Sequence, residues 1–369
     1  MGDFMSVTLR DIALLSGISR QAVAAALEGD GGSRVSAATR ERVRKLAREL
    51  NYVPNAAARK LRGGHGRTIG LLASPGLMLS NAVYSEICQI LRSLGYTCLS
   101  VDQSTDELPT LCDQLSACGV EGIIVLDAAN FPGKLMRVPD VPVIFCRCTT
   151  GGSDLDVDRE LIGYLATSHL LAHGHKSVHY LTIQSAAVGK RRQGWARALK
   201  EAGATGKVIE LRKLDGDAAA LDELLHREKA TALFCSNDFL AGKVMRILQD
   251  RSWRVPEDIA IVGCDGHSFI EFTRPALTSV IQPVRELAER CVNMLRERME
   301  KHIHGVIMES AVIPPRLWIG GSCGCPDRTP ETVYRLSTTG NLERDFRRNL
   351  NSDLWGEEPS SEALQPQER

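Results

Sequence analysis

Two short helices joined by one turn are predicted near the start of the chain, within residues 8–29. Thr8 and Asp11 make a short-armed capping box for the first helix, and Ser19 is a good N-cap for the second. Gly17 permits the sharp turn between them. This spacing is typical of a helix-turn-helix module, although a small helical hairpin that binds no DNA would show it too.

Apolar residues at helical spacing predict how this module packs. The predicted inner stripe of the first helix consists of Ile12, Ala13 and Leu15. The predicted contacts between the first two helices come from Ile18, Val23 and Leu27. A third helix is predicted over residues 37–50, with Ser36 as its N-cap and with the inner residues Val43, Leu46, Ala47 and Leu50.

Charge and exposed side chains favour DNA as the partner of this module. Residues 1–67 carry 12 Lys and Arg against 6 Asp and Glu, whereas the whole chain carries 45 of each. A basic first segment on an otherwise mildly acidic chain indicates a module that binds phosphate. Arg20 and Gln21 are predicted to be exposed at the start of the second helix, where they suit guanine and adenine.

Composition excludes several other classes of protein. The 369 residues are 43% hydrophobic, which is enough for two or three domains. The chain has no run of 18 apolar residues, no signal-peptide core, and no disulfide framework among its 11 cysteines. We therefore expect a cytoplasmic protein with reduced thiols and no membrane partner. Because Gly-x-Ser-x-Gly, Walker and dinucleotide motifs are missing, we expect no enzyme activity and no cofactor.

Short apolar runs alternate with amphipathic segments from residue 67 onward. Strands are predicted over residues 68–73, 97–101, 122–126, 141–145, 178–183, 208–211, 232–235 and 259–263, and helices from near residues 81, 107, 158, 189, 217 and 237. This alternation predicts an α/β fold with doubly wound parallel sheets. The units form two groups, which implies two similar lobes with a ligand cleft between the carboxyl ends of their strands.

These patterns divide the chain into four segments. Residues 1–54 are the predicted helix-turn-helix head, and residues 67–322 are the two-lobed core. Residues 55–66 form a linker whose helix-prone part is too short to be stable alone. Residues 323–369 are a partly disordered C-terminal extension, which is either an oligomerisation helix around residues 341–354 or a loose appendage.

A series of motifs along the chain occurs in the order typical of one family. They include Thr8-Leu9-Arg10-Asp11-Ile12-Ala13, Gly17-Ile18-Ser19, Leu50-Asn51-Tyr52-Val53-Pro54-Asn55, Thr68-Ile69-Gly70-Leu71, Ser236-Asn237-Asp238 and Val280-Ile281-Gln282-Pro283. Through these motifs, residues 6–322 resemble the lactose/galactose/purine repressor (LacI/GalR-type) family of bacterial transcription regulators. The resemblance implies an N-terminal three-helix head and a periplasmic-binding-protein-like core.

The resemblance also implies a homodimer that reads a near-palindromic operator in double-stranded DNA. Leu61 would then wedge into the minor groove, although its other interpretation is an ordinary interdomain contact. The implied DNA-binding residues are Thr8, Ser19, Arg20, Gln21, Ser36, Asn55, Ala58, Leu61 and Arg62. Ala24, Ala25 and Glu28 depart from the family pattern, which predicts an altered operator.

For the cleft, the resemblance implies a small-molecule effector: a sugar, a nucleoside or a related metabolite. The implied effector-binding residues are Tyr84, Arg191, Asn237 and Asp265. Alternatively, Asn237 caps the helix that follows it and Asp265 orders its own loop. Val83 and Ala218 stand where the family usually has aromatic rings, which argues against an ordinary sugar.

Histidines and cysteines occur at short spacings in two places. His169 and His173 lie one helical turn apart, but with His175 they match a common helix terminus of the family, so we interpret them as structural. Cys323-Gly-Cys325 lacks the paired CxxC spacing of zinc sites, as does Cys146-Arg-Cys148. Oxidation sensing and metal binding between subunits are the alternatives for Cys323 and Cys325. We expect no metal site and no catalytic residue.

The sequence thus predicts a ligand-responsive, sequence-specific DNA-binding regulator that acts as a repressor. A small-molecule sensor of the same fold is the alternative, because Ala24, Ala25 and Glu28 would also be signs of degenerate DNA recognition. An enzyme that uses the same cleft is a third, less favoured hypothesis.

Overall fold

The computed structural model describes residues 7–27, 35–50, 52, 66–73, 78–103, 107–128, 140–148, 153–183, 188–211, 230–304 and 310–326. The chain divides into two compact units, Met1–Arg67 and Thr68–Arg369, and each is described by itself. Most of the predicted linker, the helix predicted near residue 217 and the extension beyond residue 326 lie outside the described residues.

The first unit contains three helices: α1 (Leu9–Ser16), α2 (Arg20–Leu27) and α3 (Ala37–Glu49). Gly17 has a left-handed backbone with φ of 68°, which reverses the chain between α1 and α2. Ile12, Val23 and Val43, one from each helix, are fully buried at the centre of a small apolar core. The predicted three-helix head is confirmed.

One predicted core position of this head is wrong. Leu15 is 62% exposed, whereas Ile12 is fully buried. The inner stripe of α1 runs instead through Leu9, Ile12 and Ala13, which follow the i, i+3, i+4 spacing of one helix face. Leu15 does not fall on this spacing, so it lies on a different face of α1 and points away from the core.

The second unit consists of two lobes. The first lobe contains β1 (Thr68–Ala73), β2 (Thr97–Asp102), β3 (Gly122–Leu126), β4 (Val143–Cys146), β5 (Leu155–Val157) and β11 (Ala311–Ile313), with α4 (Met78–Ser93), α5 (Leu108–Ala117) and α9 (Val284–Glu300). The second lobe contains β6 (His179–Ile183), β7 (Val208–Leu211), β8 (Ala232–Cys235), β9 (Ala260–Asp265), β10 (Thr278–Ile281) and β12 (Arg316–Trp318), with α6 (Arg159–Ala172), α7 (Val188–Ala202) and α8 (Asp238–Asp250).

The two six-stranded sheets repeat one topology. Their orders are β11-β5-β4-β3-β1-β2 and β12-β10-β9-β8-β6-β7, so each strand has a counterpart in the other sheet. The neighbouring strands are parallel except for β12, which runs antiparallel to β10. Strands β3, β4 and β8 are buried along their whole length, as expected when helices cover both faces. The prediction of two similar doubly wound lobes is confirmed.

All the predicted strands are present, with bounds that differ by at most two residues. The predicted helix starts at residues 107, 158 and 237 are the N-caps of α5, α6 and α8. Strands β5, β11 and β12 were not predicted, because runs of three residues are too short to show a period. Strand β10 was also missed, although β7 and β8, which have the same length of four residues, were predicted.

The described chain passes between the lobes after β5, after β10 and after β11. Helix α9, which follows the second crossing, is held to the first lobe by a buried ion pair. Nη2 of Arg298 lies 2.6 Å from Oδ1 of Asp154, and Oδ2 of Asp154 accepts the backbone N–H of Phe145 at 2.8 Å. Removing one member of such a buried pair typically costs about 3 to 5 kcal/mol, so this contact fixes where the returning chain lies.

Helices α6 and α7 pack backbone against backbone. A Cβ atom on Gly163 of α6 would lie 1.9 Å from the carbonyl oxygen of Arg191, and one on Gly194 of α7 would lie 1.8 Å from that of Glu160. No side chain fits at those distances. The two glycines therefore set how closely α7, which carries Arg191, approaches α6.

We expect Gly194→Ala to lower the free energy of unfolding by about 3 kcal/mol, because the added methyl group meets a backbone carbonyl that cannot rotate away. Gly189→Ala on the same helix is the control. Nothing lies within 4 Å of its Cβ position, so this change should raise the free energy of unfolding by about 0.5 kcal/mol. Urea denaturation of both variants measures the difference, and equal effects would contradict the packing described.

Candidate functional site

Charged and polar side chains follow four strands at the carboxyl edges of the two sheets. Asp127 follows β3 and Arg147 follows β4 in the first lobe, whereas Asp265 ends β9 and Gln282 follows β10 in the second. Ligands of open parallel sheets bind at these edges. The chain places a polar cluster there from both lobes.

In the first lobe, Arg147 and Asp127 form a buried ion pair. Nε of Arg147 donates to both carboxylate oxygens of Asp127, at 3.0 and 3.3 Å, and each side chain is 8% exposed. Oγ of Ser80, in the first turn of α4, donates to Oδ2 of Asp127 at 2.7 Å. Asp127 is thereby held by two elements of the lobe and orients the arginine.

In the second lobe, Arg191 and Asp265 form the matching pair. Nη2 of Arg191 lies 3.1 Å from Oδ1 of Asp265, and Nη1 donates to the carbonyl oxygen of Ser236 at the end of β8. Asp265 has a φ of 112°, a backbone conformation that is unusual for a residue with a side chain. Such strain persists only where the surroundings hold it, which marks this strand end as a constrained position.

Gln282 joins the two ion pairs and therefore the two lobes. Its Oε1 accepts a hydrogen bond from Nη1 of Arg147, and its Nε2 donates to Oδ1 of Asp265 at 2.7 Å. One amide thus bonds a cation of the first lobe and an anion of the second. We call Asp127, Arg147, Gln282, Asp265 and Arg191 the interlobe bridge.

Two buried polar groups beside this bridge have no hydrogen-bond partner among the described residues. They are Nε of Arg191 and the hydroxyl of Tyr180. Burial raises the pKa of Tyr180 to about 12, although Arg191 and a contact with the Thr182 hydroxyl oppose the shift. Both groups therefore offer a proton to an acceptor, and a buried donor without an acceptor is costly. A polar ligand with acceptor oxygens or nitrogens would satisfy them.

Asp238 positions the loop that follows Asp265. Its Oδ2 accepts the backbone N–H groups of Gly266 and His267, at 2.7 and 2.9 Å, and its Oδ1 lies 2.6 Å from Oγ of Ser279. Burial and the nearby carboxylate of Asp265 raise the pKa of Asp238 to about 8, although these three hydrogen bonds act in the opposite direction. The protonated acid can donate to Ser279 while it keeps both backbone contacts.

The predicted effector residues occupy different environments. Arg191 and Asp265 contact each other directly. Asn237 is the N-cap of α8, since its side chain accepts the N–H of Leu240 at 2.8 Å. The hydroxyl of Tyr84 is 2.6 Å from Oγ of Ser100 on β2, the edge strand of the first sheet.

Sequence reasoning missed Asp127, Arg147 and Ser80, and it treated Gln282 only as part of a motif. The signal for Asp127 and Arg147 was available, because both follow buried strands in the same way as Asn237 and Asp265. No local signal distinguished Ser80 from its neighbours on α4.

The predicted DNA-binding residues of the head divide into caps and exposed side chains. The Ser19 and Ser36 hydroxyls each accept a backbone N–H at 3.2 Å, and Asp11 accepts the hydroxyl and backbone N–H of Thr8. These bonds from Thr8 lower the pKa of Asp11. Arg20 and Gln21 are exposed at the start of α2. The other four predicted contacts, Asn55, Ala58, Leu61 and Arg62, lie outside the described residues.

No helix among the described residues is both long enough and apolar enough to span a bilayer. The eleven cysteines are free thiols.

Two known families match parts of this chain. Residues 8–55 match the bacterial regulatory proteins of the lacI family, and residues 167–323 match a periplasmic binding protein-like domain. The HTH-type transcriptional repressor PurR of Vibrio atlanticus (strain LGP32) is 32% identical over 320 residues, which cover 80% of this chain and 93% of that protein. The ribose operon repressor of Escherichia coli (strain K12) is 30% identical over 311 residues, which cover 79% and 93%.

Solved structures show the same fold. The lac repressor dimer bound to operator and the anti-inducer ONPF has a TM-score of 0.71 at 25% identity and covers 86% of this chain and 99% of that one. A complex of the transcriptional regulator CelR with cellobiose has a TM-score of 0.60 at 26% identity, with the same coverage.

The raised pKa of Asp238 predicts a pH dependence of stability. A carboxyl whose pKa is higher in the folded than in the unfolded protein stabilises the fold while it is protonated. Its contribution to the free energy of unfolding is complete below the unfolded pKa of about 4 and is lost as the pH rises through the folded pKa of about 8. We expect the free energy of unfolding to fall across this range more steeply in the wild type than in Asp238→Asn. Asp250→Asn, at the exposed end of the same helix, is the control and should keep the wild-type slope. Urea denaturation at several pH values measures the slopes, and parallel curves for wild type and Asp238→Asn would contradict the shift.

Proposed function

Because the chain belongs to the lacI family of bacterial regulatory proteins, we propose that it represses transcription by binding a near-palindromic operator as a homodimer, under the control of a small molecule between its two lobes. The family consists of DNA-binding transcriptional regulators rather than enzymes. Since its target is chromosomal DNA, we place the protein in the cytoplasm, and its free thiols suit that compartment.

The observation that carries the DNA-binding part of the proposal is the exposed start of α2. Arg20 and Gln21 are both exposed there, on a helix whose Val23 and Ala26 are buried in the head. A helix held in this way presents its first residues to the major groove, where arginine and glutamine recognise guanine and adenine. Thr8, Ser19 and Ser36 would contact phosphates as well as cap their helices.

The proposed linker contacts are Asn55, Ala58, Leu61 and Arg62, with Leu61 in the minor groove. Ala24 and Ala25 leave the middle of the recognition helix without a base-reading side chain. We therefore expect an operator that differs from the common family sequence. The alternative function, a sensor with degenerate DNA recognition, rests on the same alanines and on Glu28.

The interlobe bridge supports the proposed effector site. It lies at the strand ends, and beside it the Arg191 Nε and the Tyr180 hydroxyl require an acceptor. These groups suit a metabolite rich in oxygen or ring nitrogen, such as a sugar or a nucleoside. We keep Asn237 and Tyr84 in the proposed effector site, although their hydrogen bonds to Leu240 and Ser100 give each a structural role too.

The interlobe bridge also suggests how a bound effector would control operator affinity. A ligand that bonds Arg191 or Asp265 competes with Gln282 and therefore changes the contact with Arg147 in the other lobe. The free energy that couples two sites in this way is typically about 1 to 3 kcal/mol. The effector would favour one closure angle of the lobes and so alter the affinity for the operator.

The DNA-binding proposal is tested by selecting operator sequences from a random DNA pool and measuring their affinity for single-residue variants. We expect Arg20→Ala to weaken operator binding about tenfold or more, because a bidentate contact with guanine is lost. Arg20→Lys retains the charge but not the planar fork, so it should recover non-specific binding without recovering discrimination. If no palindromic sequence is selected from the pool, the repressor hypothesis is rejected in favour of the small-molecule sensor.

We expect Arg191→Ala to keep operator affinity and to abolish the response to effector, because the guanidinium contacts the ligand and not the DNA. Arg192→Ala, the exposed neighbour on α7, should leave the response unchanged. Thermal shifts against a panel of sugars, nucleosides and sugar acids identify the effector, and operator binding with and without it gives the response. Constitutive release of DNA by Arg191→Ala would contradict the assignment.

A further inference from the structure

Two pairs of residues that lie far apart in the sequence meet at one end of the second lobe. His169 and His173 are one turn apart at the end of α6, and Cys323 and Cys325 follow β12. Sequence reasoning treated the two pairs separately and interpreted the histidines as structural. The fold brings their four ligand atoms to within 4.8 Å of one another.

The spacing of these atoms is close to that of a tetrahedral metal site. Sγ of Cys325 lies 3.2 Å from Nε2 of His173 and 3.9 Å from Nε2 of His169. Zinc bonds of about 2.1 Å to nitrogen and 2.3 Å to sulfur place neighbouring tetrahedral ligands roughly 3.3 to 3.8 Å apart. The longest separation, 4.8 Å, therefore has to shrink by about 1 Å when an ion binds.

The backbone around the cluster holds the two pairs in position. Gly324, between the cysteines, has a left-handed φ of 99°, and its Cβ position lies 3.6 Å from Nδ1 of His173. A side chain there would be strained, so glycine lets this turn follow the helix end closely. His173 is the C-cap of α6, and Gly174 reverses the chain directly after it with φ of 90°. Neither pair depends on a long unsupported loop for its placement.

Burial and neighbouring groups also suit a bound ion. Cys323 is buried and His173 is exposed, so an ion can enter from one side while the other side excludes water. Oγ1 of Thr278 lies 3.0 Å from Sγ of Cys323 and can donate to a thiolate. Such outer hydrogen bonds orient and stabilise metal-bound sulfur.

We propose that His169, His173, Cys323 and Cys325 bind one zinc ion. Two imidazole nitrogens and two thiolates in a tetrahedral arrangement are the ligand set of structural zinc, whereas magnesium and calcium require oxygen ligands. The ion would fasten the segment after β12 to the end of α6.

This site is separate from the proposed effector site. Arg159, at the other end of α6, donates to the carbonyl oxygen of Arg147 in the interlobe bridge at 2.7 Å. A rise of 1.5 Å per residue puts His173 about 21 Å further along the helix. Zinc binding can therefore be tested independently of operator binding and effector binding.

The test uses the full chain, reduced with a phosphine and stripped with a chelator. We expect it to bind about one zinc per chain by elemental analysis. Cobalt(II) should give intense tetrahedral d–d bands in the visible and a thiolate charge-transfer band in the near ultraviolet. The double variant His173→Gln/Cys325→Ser should lose the stoichiometric ion and both bands. His302→Gln/Cys118→Ser, which removes an exposed histidine and an exposed thiol elsewhere, should keep them.

Thermal unfolding provides the second measurement. Zinc in hundredfold excess over its dissociation constant should raise the Tm of the wild type and of the control variant by about 5 °C, and should leave His173→Gln/Cys325→Ser unchanged. Retention of the ion by that double variant overturns the proposal, as does a cobalt spectrum without the thiolate band. If the metal-free wild type and the double variant have equal Tm values, the double variant is folded, and its failure to bind zinc is not caused by unfolding.

Discussion

The hydrogen bond from Arg147 to Gln282 joins a buried ion pair of the first lobe to a buried ion pair of the second. Asp127 neutralises Arg147 on one side and Asp265 neutralises Arg191 on the other, so the meeting point carries no net charge. Buried charges are tolerated only when each is paired and hydrogen-bonded. One amide thus satisfies two ion pairs, and under the proposed function a ligand that competes for these atoms would change the angle between the lobes.

Helix α6 links this bridge to the rest of the second lobe. At its first residue, Arg159 supports the carbonyl of Arg147. In its second turn, Gly163 allows the backbone of α7 to approach, and this packing sets the position of Arg191. At its end, His169 and His173 face the cysteines that follow β12. One helix thus supports the arginine of the proposed effector site and carries the proposed zinc ligands at the opposite end.

Local patterns predicted the head, the strands and part of the cleft, and they failed where contacts depend on distant elements. Asp265 was singled out because it follows a buried strand. The contact between Arg147 and Gln282 was not predicted, since nothing near Arg147 in the sequence points to Gln282. Leu15 was placed inside because apolar character was read without the packing of α3, which selects the face through Ile12. Asn237 proved to be a helix cap, as its position before α8 allowed.

The sequence by itself determined the three-helix head, the alternation of strands and helices, and the residues that end most strands. These features depend on neighbours within a few positions, through capping, period and turn residues. Only the tertiary structure decided that Gln282 joins two ion pairs, and that His173 meets Cys325. Both contacts cross more than a hundred residues. They exist because the chain crosses between the lobes repeatedly and returns β12 beside β10, a register that no local pattern encodes.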